Sequence, residues 1–335
     1  MLGLSFARAF ADPFADPTAA DAAALGMKRY ADLVMGPLLL GFVSWLTVRL
    51  RDDRADGVLF AARDGYLPLE LYQAVDRKFP EWTLPAGQYF QTNRRAAFLP
   101  NAAESGSVEA ILRLVGHLGL SLPPAELLQA FFDLPPETML GRESEPETLP
   151  DLLAIHRTDI TRQAKKARMA YYRYMEKLGL RMGGCYAFVE FVATGTCQMY
   201  LERFVPFALK GLYCGRTAFD MGYDIEVTSY LRGEYPELLE HYLELESYIT
   251  SPEPSLQGFD REGEPYLAEE LRSREMMTCL AQVHAEVRDY LHTFLRLFWW
   301  EREAIDPALP ERMFAANGAG TIYRENYDDW AKCRL

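Results

Sequence analysis

Short apolar runs bounded by turn residues alternate along the chain with stretches in which apolar residues recur at helical spacing. The short runs predict buried strands at 57–62, 88–91, 185–192 and 210–214. Helical spacing predicts helices at 22–51, 67–78, 108–118, 125–132, 158–178, from about 198, and at 266–302. Residues 1–21 show no period and are predicted to be an extended lead-in. Strand–helix alternation favours an α/β fold with an open, largely parallel sheet and right-handed crossovers.

Composition narrows the class of protein. The 335 residues are 49% hydrophobic and 25% charged, which excludes a disordered or collagen-like chain. A net charge of −13 argues against nucleic-acid binding, which needs a basic surface. Five cysteines without a Cys-x-x-Cys pair make a disulfide scaffold or structural zinc improbable. The chain is therefore predicted to be a reduced, cytoplasmic protein.

One apolar stretch raises the question of whether the chain spans a membrane or attaches to one. The run 34–48 is shorter than the roughly 18 residues that a spanning helix needs. The run is predicted to be a buried core helix, and attachment to a membrane surface is the alternative. The acidic residues Asp12 and Asp16 interrupt the start of the chain and argue against a signal peptide.

Polar residues follow three of the predicted strands. They are Arg63, Asp64 and Gly65 after the first, Thr92, Arg94 and Arg95 after the second, and Thr194, Gly195 and Thr196 after the third, with Glu190 slightly upstream. Ligands of open parallel sheets bind at the carboxyl ends of the strands. A carboxylate, hydroxyl groups, two arginines and a small-residue loop that opens a helix match the needs of a phosphate or a phosphorylated sugar.

Each of these features also has an ordinary structural explanation. Asp64 is a suitable cap or turn residue, and paired arginines often serve ion pairs in an acidic chain. Many turns like the one at Gly195 bind nothing. The sequence has no Gly-x-Gly-x-x-Gly, no P-loop, no Gly-x-Ser-x-Gly and no His-Glu-x-x-His motif, so the corresponding activities have no support.

Four segments carry a resemblance to a known family. They are 36–46, the run Leu-Phe-Ala-Ala-Arg-Asp-Gly-Tyr at 59–66, Thr-Asn-Arg-Arg-Ala at 92–96, and 188–198, which ends at Gln198. They resemble bacterial predicted hydrolases of the haloacid dehalogenase-like (HAD-like) superfamily, which are often encoded with surface-polysaccharide glycosyltransferases. The resemblance covers residues from about 25 to 300 and matches the second half of longer members.

The resemblance implies a fold and a set of residue roles. It implies a Rossmann-like core at 22–104 and 183–262, a helical cap or accessory module at 105–182, and a helical region at 263–335 that holds the long C-terminal helix. Asp64 would be the nucleophile, Thr92 the holder of the phosphoryl group, and Asp64 and Glu190 the ligands of Mg²⁺. The substrate-binding set would comprise Arg63, Gly65, Thr92, Arg94, Arg95, Thr194, Gly195, Thr196 and Gln198. The substrate would be a phosphorylated sugar or glycan intermediate.

The chain departs from the family pattern at three positions. Superfamily phosphatases use Asp-x-Asp, and here Tyr66 stands in the second position, where it would have to act as the proton donor. Glu190 stands where the family has aspartate, and Val192 stands where it has glycine. Three functions therefore stay open: a Mg²⁺-dependent phosphohydrolase or phosphotransferase, a degenerate module that binds a phosphorylated ligand or a glycosyltransferase partner, and a sugar or phosphoribosyl transferase. Self-association through the aromatic residues 290–300 is a further expectation.

Overall fold

The computed structural model describes residues 1–10, 19–105, 107–116, 122–134, 148–217, 223–233, 235–300 and 304–317. Within these residues the chain forms a mixed α/β fold, in which helices flank a five-stranded, wholly parallel sheet. This architecture confirms the predicted Rossmann-like α/β class. The Pro- and Glu-rich sequence from Pro135 to Pro150 predicts a linker, of which 135–147 lie outside the described residues, as do His117 and Cys333, while Leu149 and Pro150 begin a helix.

The parallel sheet consists of β1 (Gly57–Ala61), β2 (Gly87–Phe90), β3 (Cys185–Ala193), β4 (Ala208–Arg216) and β5 (Val227–Leu231), in the order β2-β1-β3-β4-β5. The first four strands confirm the four predicted from apolar runs. The sequence analysis missed β5, an edge strand whose polar Thr228 and Ser229 interrupt the apolar signal. A separate antiparallel hairpin consists of β6 (Leu256–Phe259) and β7 (Pro265–Leu267).

The α-helices are α1 (Leu2–Ala9), α2 (Ala19–Tyr30), α3 (Gly36–Asp52), α4 (Tyr66–Lys78), α5 (Arg94–Phe98), α6 (Val108–Gly116), α7 (Pro124–Phe132), α8 (Leu149–Lys177), α9 (Thr196–Glu202), α10 (Pro236–Glu240), α11 (Tyr242–Ile249), α12 (Arg274–Leu297) and α13 (Ala308–Asn317). Short 3-10 segments lie at Pro80–Trp82 and Leu99–Glu104. The predicted helix over 266–302 was wrong at both ends. Strand β7 occupies its start, Ser273 caps α12 by accepting a 3.2 Å hydrogen bond from the amide of Met276, and α12 ends at Leu297.

The predicted extended lead-in was wrong for the first residues, which form α1. Tertiary contacts hold this short helix: the hydroxyl groups of Ser5 and Tyr290 are 2.8 Å apart, and Nε of Arg8 donates to Asp32 at 2.5 Å. A short helix of this kind depends on packing more than on intrinsic propensity. This explains why the sequence pattern alone did not reveal it.

A π-helical turn, Ala31–Met35, joins α2 to α3. The amide of Gly36 donates to the carbonyl of Ala31, five residues back, instead of four. Pro37 follows at once, and a proline lacks an amide proton and crowds the carbonyl four residues before it. Pro37 is expected to kink or split the helix predicted over 22–51, and the structure has a π turn directly before it in an otherwise continuous helical segment.

Two hydrophobic layers cover the sheet. Helices α3, α4 and α12 contribute to the layer on one face, and α5–α9 contribute to the layer on the other. In the middle of β3, neighbouring residues enter different layers: Val189 belongs to the first, and Phe188 to the second. One segment in the described chain, Leu25–Asp52, is long and apolar enough to cross a membrane, but 83% of its most apolar window is buried inside the protein. Its burial confirms the prediction of a core helix.

The helices between 105 and 182 share a core with the sheet. Ile111 of α6 and Ile160 of α8 belong to the same cluster as Phe90 and Phe188. The division into a core and a cap module stays a prediction. The aromatic set predicted for self-association divides: Tyr290, Phe294 and Trp300 are buried, while Phe298 and Trp299 are exposed.

Candidate functional site

The sheet order creates a crevice between β1 and β3. The chain leaves β1 to form β2 on one side, whereas β3 pairs with the opposite edge of β1. In open parallel sheets, such a reversal of strand order marks the place outside the carboxyl ends where ligands bind. The residues that follow β1 and β3 are therefore the candidate site.

A tight turn carries Asp64 from β1 into α4. The amide of Gly65 donates a 2.8 Å hydrogen bond to the carbonyl of Ala61, and the amide of Ala62 donates to Phe90 at 2.9 Å. A Cβ atom at Gly65 would lie 2.5 Å from the oxygen of Ala61. The absence of a side chain at Gly65 thus allows the turn to approach the end of β1 closely, and this contact fixes the position of Asp64.

Arg63 is held in this turn in the left-handed region, with φ of +70°. Its amide donates to the hydroxyl of Tyr89 at 2.8 Å, and its guanidinium donates to Thr250 at 3.3 Å and to Ser255 at 3.0 Å. Arg63 was predicted as a phosphate ligand. In the structure, its guanidinium ties the turn to the segment that leads into β6.

Three charged groups meet at the crevice. Asp64 lies close enough to Glu190 to raise the pKa of the Glu190 carboxyl, and the guanidinium of Arg94 acts in the opposite direction. Arg94 begins α5 and is exposed at this rim. The turn after β1, strand β3 and the first residue of α5 therefore bring together three of the predicted site residues.

Glu190 has an unusual environment for a carboxyl group. Burial is the main cause that raises its pKa from 4.5 to about 7, and the charge of Asp64 adds to the rise. Its Oε2 atom is inaccessible to solvent and has no hydrogen-bond partner among the described residues. Tyr213 is its register partner on β4 and interacts with the carboxyl group through its hydroxyl. Glu190 is therefore protonated in a large fraction of molecules at neutral pH.

Gln198 does not lie at the crevice as predicted. Its side chain is fully buried, and its amide nitrogen donates to Glu202 at 2.7 Å and to the carbonyl of Glu226 at 3.2 Å. Its amide oxygen accepts a 2.8 Å hydrogen bond from Tyr213. All three contacts are internal, so Gln198 links α9 to β4 and to the residue before β5.

Thr92 and Arg95 differ in their relation to the crevice. Thr92 is buried, with its hydroxyl 3.5 Å from the sulfur of Cys197, and Glu190 and Arg94 both act electrostatically on that thiol. Arg95 instead forms a 3.5 Å ion pair with Asp133, on the side of α7. Thr92 therefore adjoins the charged group, and Arg95 points away from it.

The loop after β3 is compact. Gly195 adopts φ of +91°, and the hydroxyls of Thr194 and Thr196 are 2.7 Å apart. The amide of Thr196 donates to the hydroxyl of Thr194 at 3.4 Å. These internal contacts account for the loop geometry, and the helix that follows has only seven residues.

Tyr66 packs in an aromatic group behind the turn. Its ring lies edge-on to Tyr89 at 6.0 Å and stacks on His284 at 5.8 Å. Burial, with the nearby charge of Glu70, raises the pKa of Tyr66 above 10. Burial lowers the pKa of His284 to about 4, and its Nε2 has no partner among the described residues. The prediction of Tyr66 as a proton donor is weakened, because a phenol of raised pKa releases its proton reluctantly.

The residues present fit a divalent cation only in part. Within the described chain, no group of three or more His, Cys, Asp or Glu side chains could hold a metal. Magnesium sites often use one or two carboxylates, with water and substrate phosphate completing the shell. Asp64 and the unpartnered oxygen of Glu190 suit that minimal arrangement when Glu190 is ionised.

Sequence reasoning missed two residues of the crevice surroundings. Tyr213 could have been found, since alternation along β4 places it on the same face as Leu209. His284 comes from α12, more than two hundred residues after Tyr66, and no local pattern connects them. In comparisons with known proteins, no family model and no curated protein matches this chain.

Proposed function

We propose that the chain is a HAD-like phosphohydrolase or phosphotransferase that acts on a phosphorylated sugar or glycan intermediate in surface-polysaccharide biosynthesis. The observation that supports this proposal is the position of Asp64. It lies on a tight turn at the strand-order reversal, and Asp64 and Arg94 both act electrostatically on Glu190. A carboxylate next to a guanidinium at such a crevice suits attack on a phosphoryl group.

In the proposed reaction, a carboxylate oxygen of Asp64 attacks phosphorus and the bond to the leaving oxygen breaks. Water, or an acceptor hydroxyl in a transferase, then attacks the phosphorus of the aspartyl-phosphate and restores Asp64. Arg94 would neutralise charge on the phosphoryl oxygens. Asp64 and Glu190 would hold Mg²⁺, which would supply further charge neutralisation when bound.

The weak acidity of Tyr66 shapes the expected substrates. Without a strong proton donor for the leaving group, leaving groups that are stable as anions are favoured. We therefore expect an aryl phosphate to be cleaved faster than a simple sugar phosphate with an alkoxide leaving group.

A second candidate is a catalytically degenerate module that binds a phosphorylated ligand or a glycosyltransferase partner. Two features favour it: burial raises the pKa of Tyr66, which stands in the position of the general acid, and burial raises the pKa of Glu190 to about 7. Either function is compatible with a cytoplasmic location, and with self-association through Phe298 and Trp299, which are 47% and 66% exposed.

The test is a phosphate-release assay with and without Mg²⁺, on an aryl phosphate, sugar phosphates and nucleotide sugars. Wild type is compared with Asp64→Asn and with the control Asp76→Asn, which makes the same charge change far along α4. Turnover that needs Mg²⁺ and disappears only in Asp64→Asn supports the hydrolase. Absence of turnover by folded wild-type protein favours the binding module, and turnover that persists in Asp64→Asn rules out Asp64 as the nucleophile.

A further inference from the structure

A cavity of about 560 Å³ lies outside the crevice, on the face of the sheet that α5–α9 cover. Its polar lining comes from four elements: the 3-10 segment Leu99–Glu104, α6, α8 and the residue after α9. The guanidinium-bearing residues of the lining are Arg113, Arg168 and Arg203. We refer to it as the arginine cavity.

The arginine cavity is a positive region on an acidic protein. Three arginines and one carboxylate, Glu104, are among its lining residues, whereas the whole chain has a net charge of −13. In such a chain, arginines are expected to be surrounded by carboxylates. Here the positive charges outnumber the negative charge of the lining, so an anion that entered would meet a favourable local field.

Two of the arginines have restricted side chains. Arg168 is 18% exposed, lies 2.5 Å from an oxygen of Glu104, and donates to the hydroxyl of Tyr172 at 2.9 Å. The guanidinium of Arg203 lies 5.3 Å from the ring centre of Tyr223. Guanidinium groups that are already held in place lose less conformational entropy when they bind an anion.

The lining also indicates the chemical class of the ligand. A volume of about 560 Å³ is within the usual range for pockets that hold small molecules. The amide nitrogen of Asn101 donates to two backbone carbonyls and the hydroxyl of Ser105 donates to a third. The side-chain oxygens of Asn101 and Ser105 are therefore placed as acceptors for the hydroxyl groups of a sugar. The described lining contains no aromatic side chain on which a nucleobase could stack. A sugar phosphate therefore fits this lining better than a nucleotide does.

We propose that the arginine cavity is a second binding site, which takes the phosphate of a phosphorylated sugar on Arg113, Arg168 and Arg203. Glu190 acts electrostatically on Cys197 in the first turn of helix α9, whose seven residues span about 10 Å, and Arg203 directly follows the helix. The cavity is thus separate from the crevice but close to it. The proposal holds for either candidate function, because it needs no turnover at Asp64.

The experiment is calorimetric titration at low salt with glucose 1-phosphate as the probe, and with inorganic phosphate and a nucleotide sugar in parallel. The test variant is the double substitution Arg113→Gln and Arg203→Gln, since both side chains are exposed and their loss should leave the fold intact. The matched control is Arg157→Gln with Lys166→Gln, which removes the same charge from the exposed face of α8. Arg94→Gln reports on binding at the crevice.

We expect the test variant to weaken glucose 1-phosphate binding by roughly tenfold or more, since each charge-assisted bond to phosphate is strong. The control should leave this binding unchanged. Arg94→Gln should weaken only a separate binding event at the crevice and keep the one that the test variant loses, and inorganic phosphate should bind more weakly than the sugar phosphate. Four results would overturn the proposal: no binding up to about 10 mM, unchanged binding in the test variant, equal loss in the control, or loss in Arg94→Gln alone. Tighter binding of the nucleotide sugar, lost in the test variant, would overturn the assigned ligand class.

Discussion

The hydroxyl of Tyr213 donates a 2.8 Å hydrogen bond to the amide oxygen of Gln198, directly beside the carboxyl group of Glu190. The amide nitrogen of Gln198 already donates to two acceptors, which fixes its oxygen as the acceptor for Tyr213. The same hydroxyl interacts with the carboxyl group of Glu190 and lowers its pKa, as does the guanidinium of Arg94. Burial outweighs both effects, and the charge of Asp64 adds to it, so the pKa of Glu190 rises to about 7.

The raised pKa of Glu190 predicts a specific dependence of stability on pH. The folded state binds this proton more tightly than the unfolded state, with a pKa of about 7 against 4.5. The resulting stabilisation is present in full below pH 4.5, decreases as the pH rises, and is lost above pH 7. Its total is roughly 3 kcal/mol, from the shift in pKa. Glu190→Gln removes this dependence. In urea unfolding, the unfolding free energy of the variant should therefore increase relative to that of wild type as the pH rises from 5 to 8.

The control for this measurement is Glu176→Gln, which changes an exposed glutamate on α8. Its unfolding free energy should follow that of wild type at every pH. If the unfolding free energies of wild type and Glu190→Gln change in parallel from pH 5 to pH 8, folding does not raise the pKa of Glu190.

The turn that carries Asp64 predicts a large effect of a single methyl group. In Gly65→Ala, the new Cβ would lie 2.5 Å from the Ala61 oxygen and 2.8 Å from the Phe60 carbonyl carbon, both backbone atoms of β1. The strand would have to shift, so we expect a loss of about 2–4 kcal/mol in unfolding free energy. Gly3→Ala is the matched control, because no described atom lies within 4 Å of its added methyl group, and it should be neutral or slightly stabilising. Equal stability of the two variants would contradict this account of the turn.

The left-handed backbone of Arg63 leads to a second comparison, between Arg63→Ala and Arg63→Gly. Both variants lose the bonds to Thr250 and Ser255, but only glycine adopts φ of +70° without strain. We expect the glycine variant to be the more stable by about 1 kcal/mol in chemical denaturation. At Arg77, in helix α4, the order should reverse, because glycine is unfavourable within helices. If the alanine variant is the more stable one at position 63 as well as at position 77, the backbone of Arg63 carries no strain.

The sequence predicted the parts of the fold whose signal is local. Buried strands in the middle of a parallel sheet are apolar on both faces, so the runs at 57–62 and 185–192 identified β1 and β3 directly. The rule that ligands bind at the carboxyl ends of such strands then led to Asp64 and Glu190, and the structure places these two residues together. The sequence analysis did not predict edge strand β5 and helix α1, because their stability comes from residues that are distant in the sequence.

The candidate site could be predicted only as far as backbone topology determines it. Which side chains face the crevice depends on contacts that no spacing encodes. Gln198 follows the same strand as Thr194, yet one turn of α9 directs its side chain toward β4. Arg95 follows Arg94 directly, and the helical rotation between neighbours directs it toward Asp133. The protonation state of Glu190 could not be predicted from the sequence either, because burial by residues from several elements determines its pKa.

The N-terminal helix allows a comparison of two carboxylates that bind the same arginine. Asp32 is completely buried and accepts from Arg8 at 2.5 Å and from Lys28 at 2.6 Å, whereas Asp289 is 66% exposed and accepts from Arg8 at 2.6 Å. Asp32→Asn removes the buried acceptor that Arg8 and Lys28 share, while both keep Glu286 as a partner, so it should cost about 1–3 kcal/mol. Asp289→Asn should cost less than about 1 kcal/mol, since water screens an exposed pair. Thermal unfolding gives both values, and trypsin cleavage after Arg8 should become faster in Asp32→Asn alone. Equal costs would mean that α1 is not anchored through Asp32.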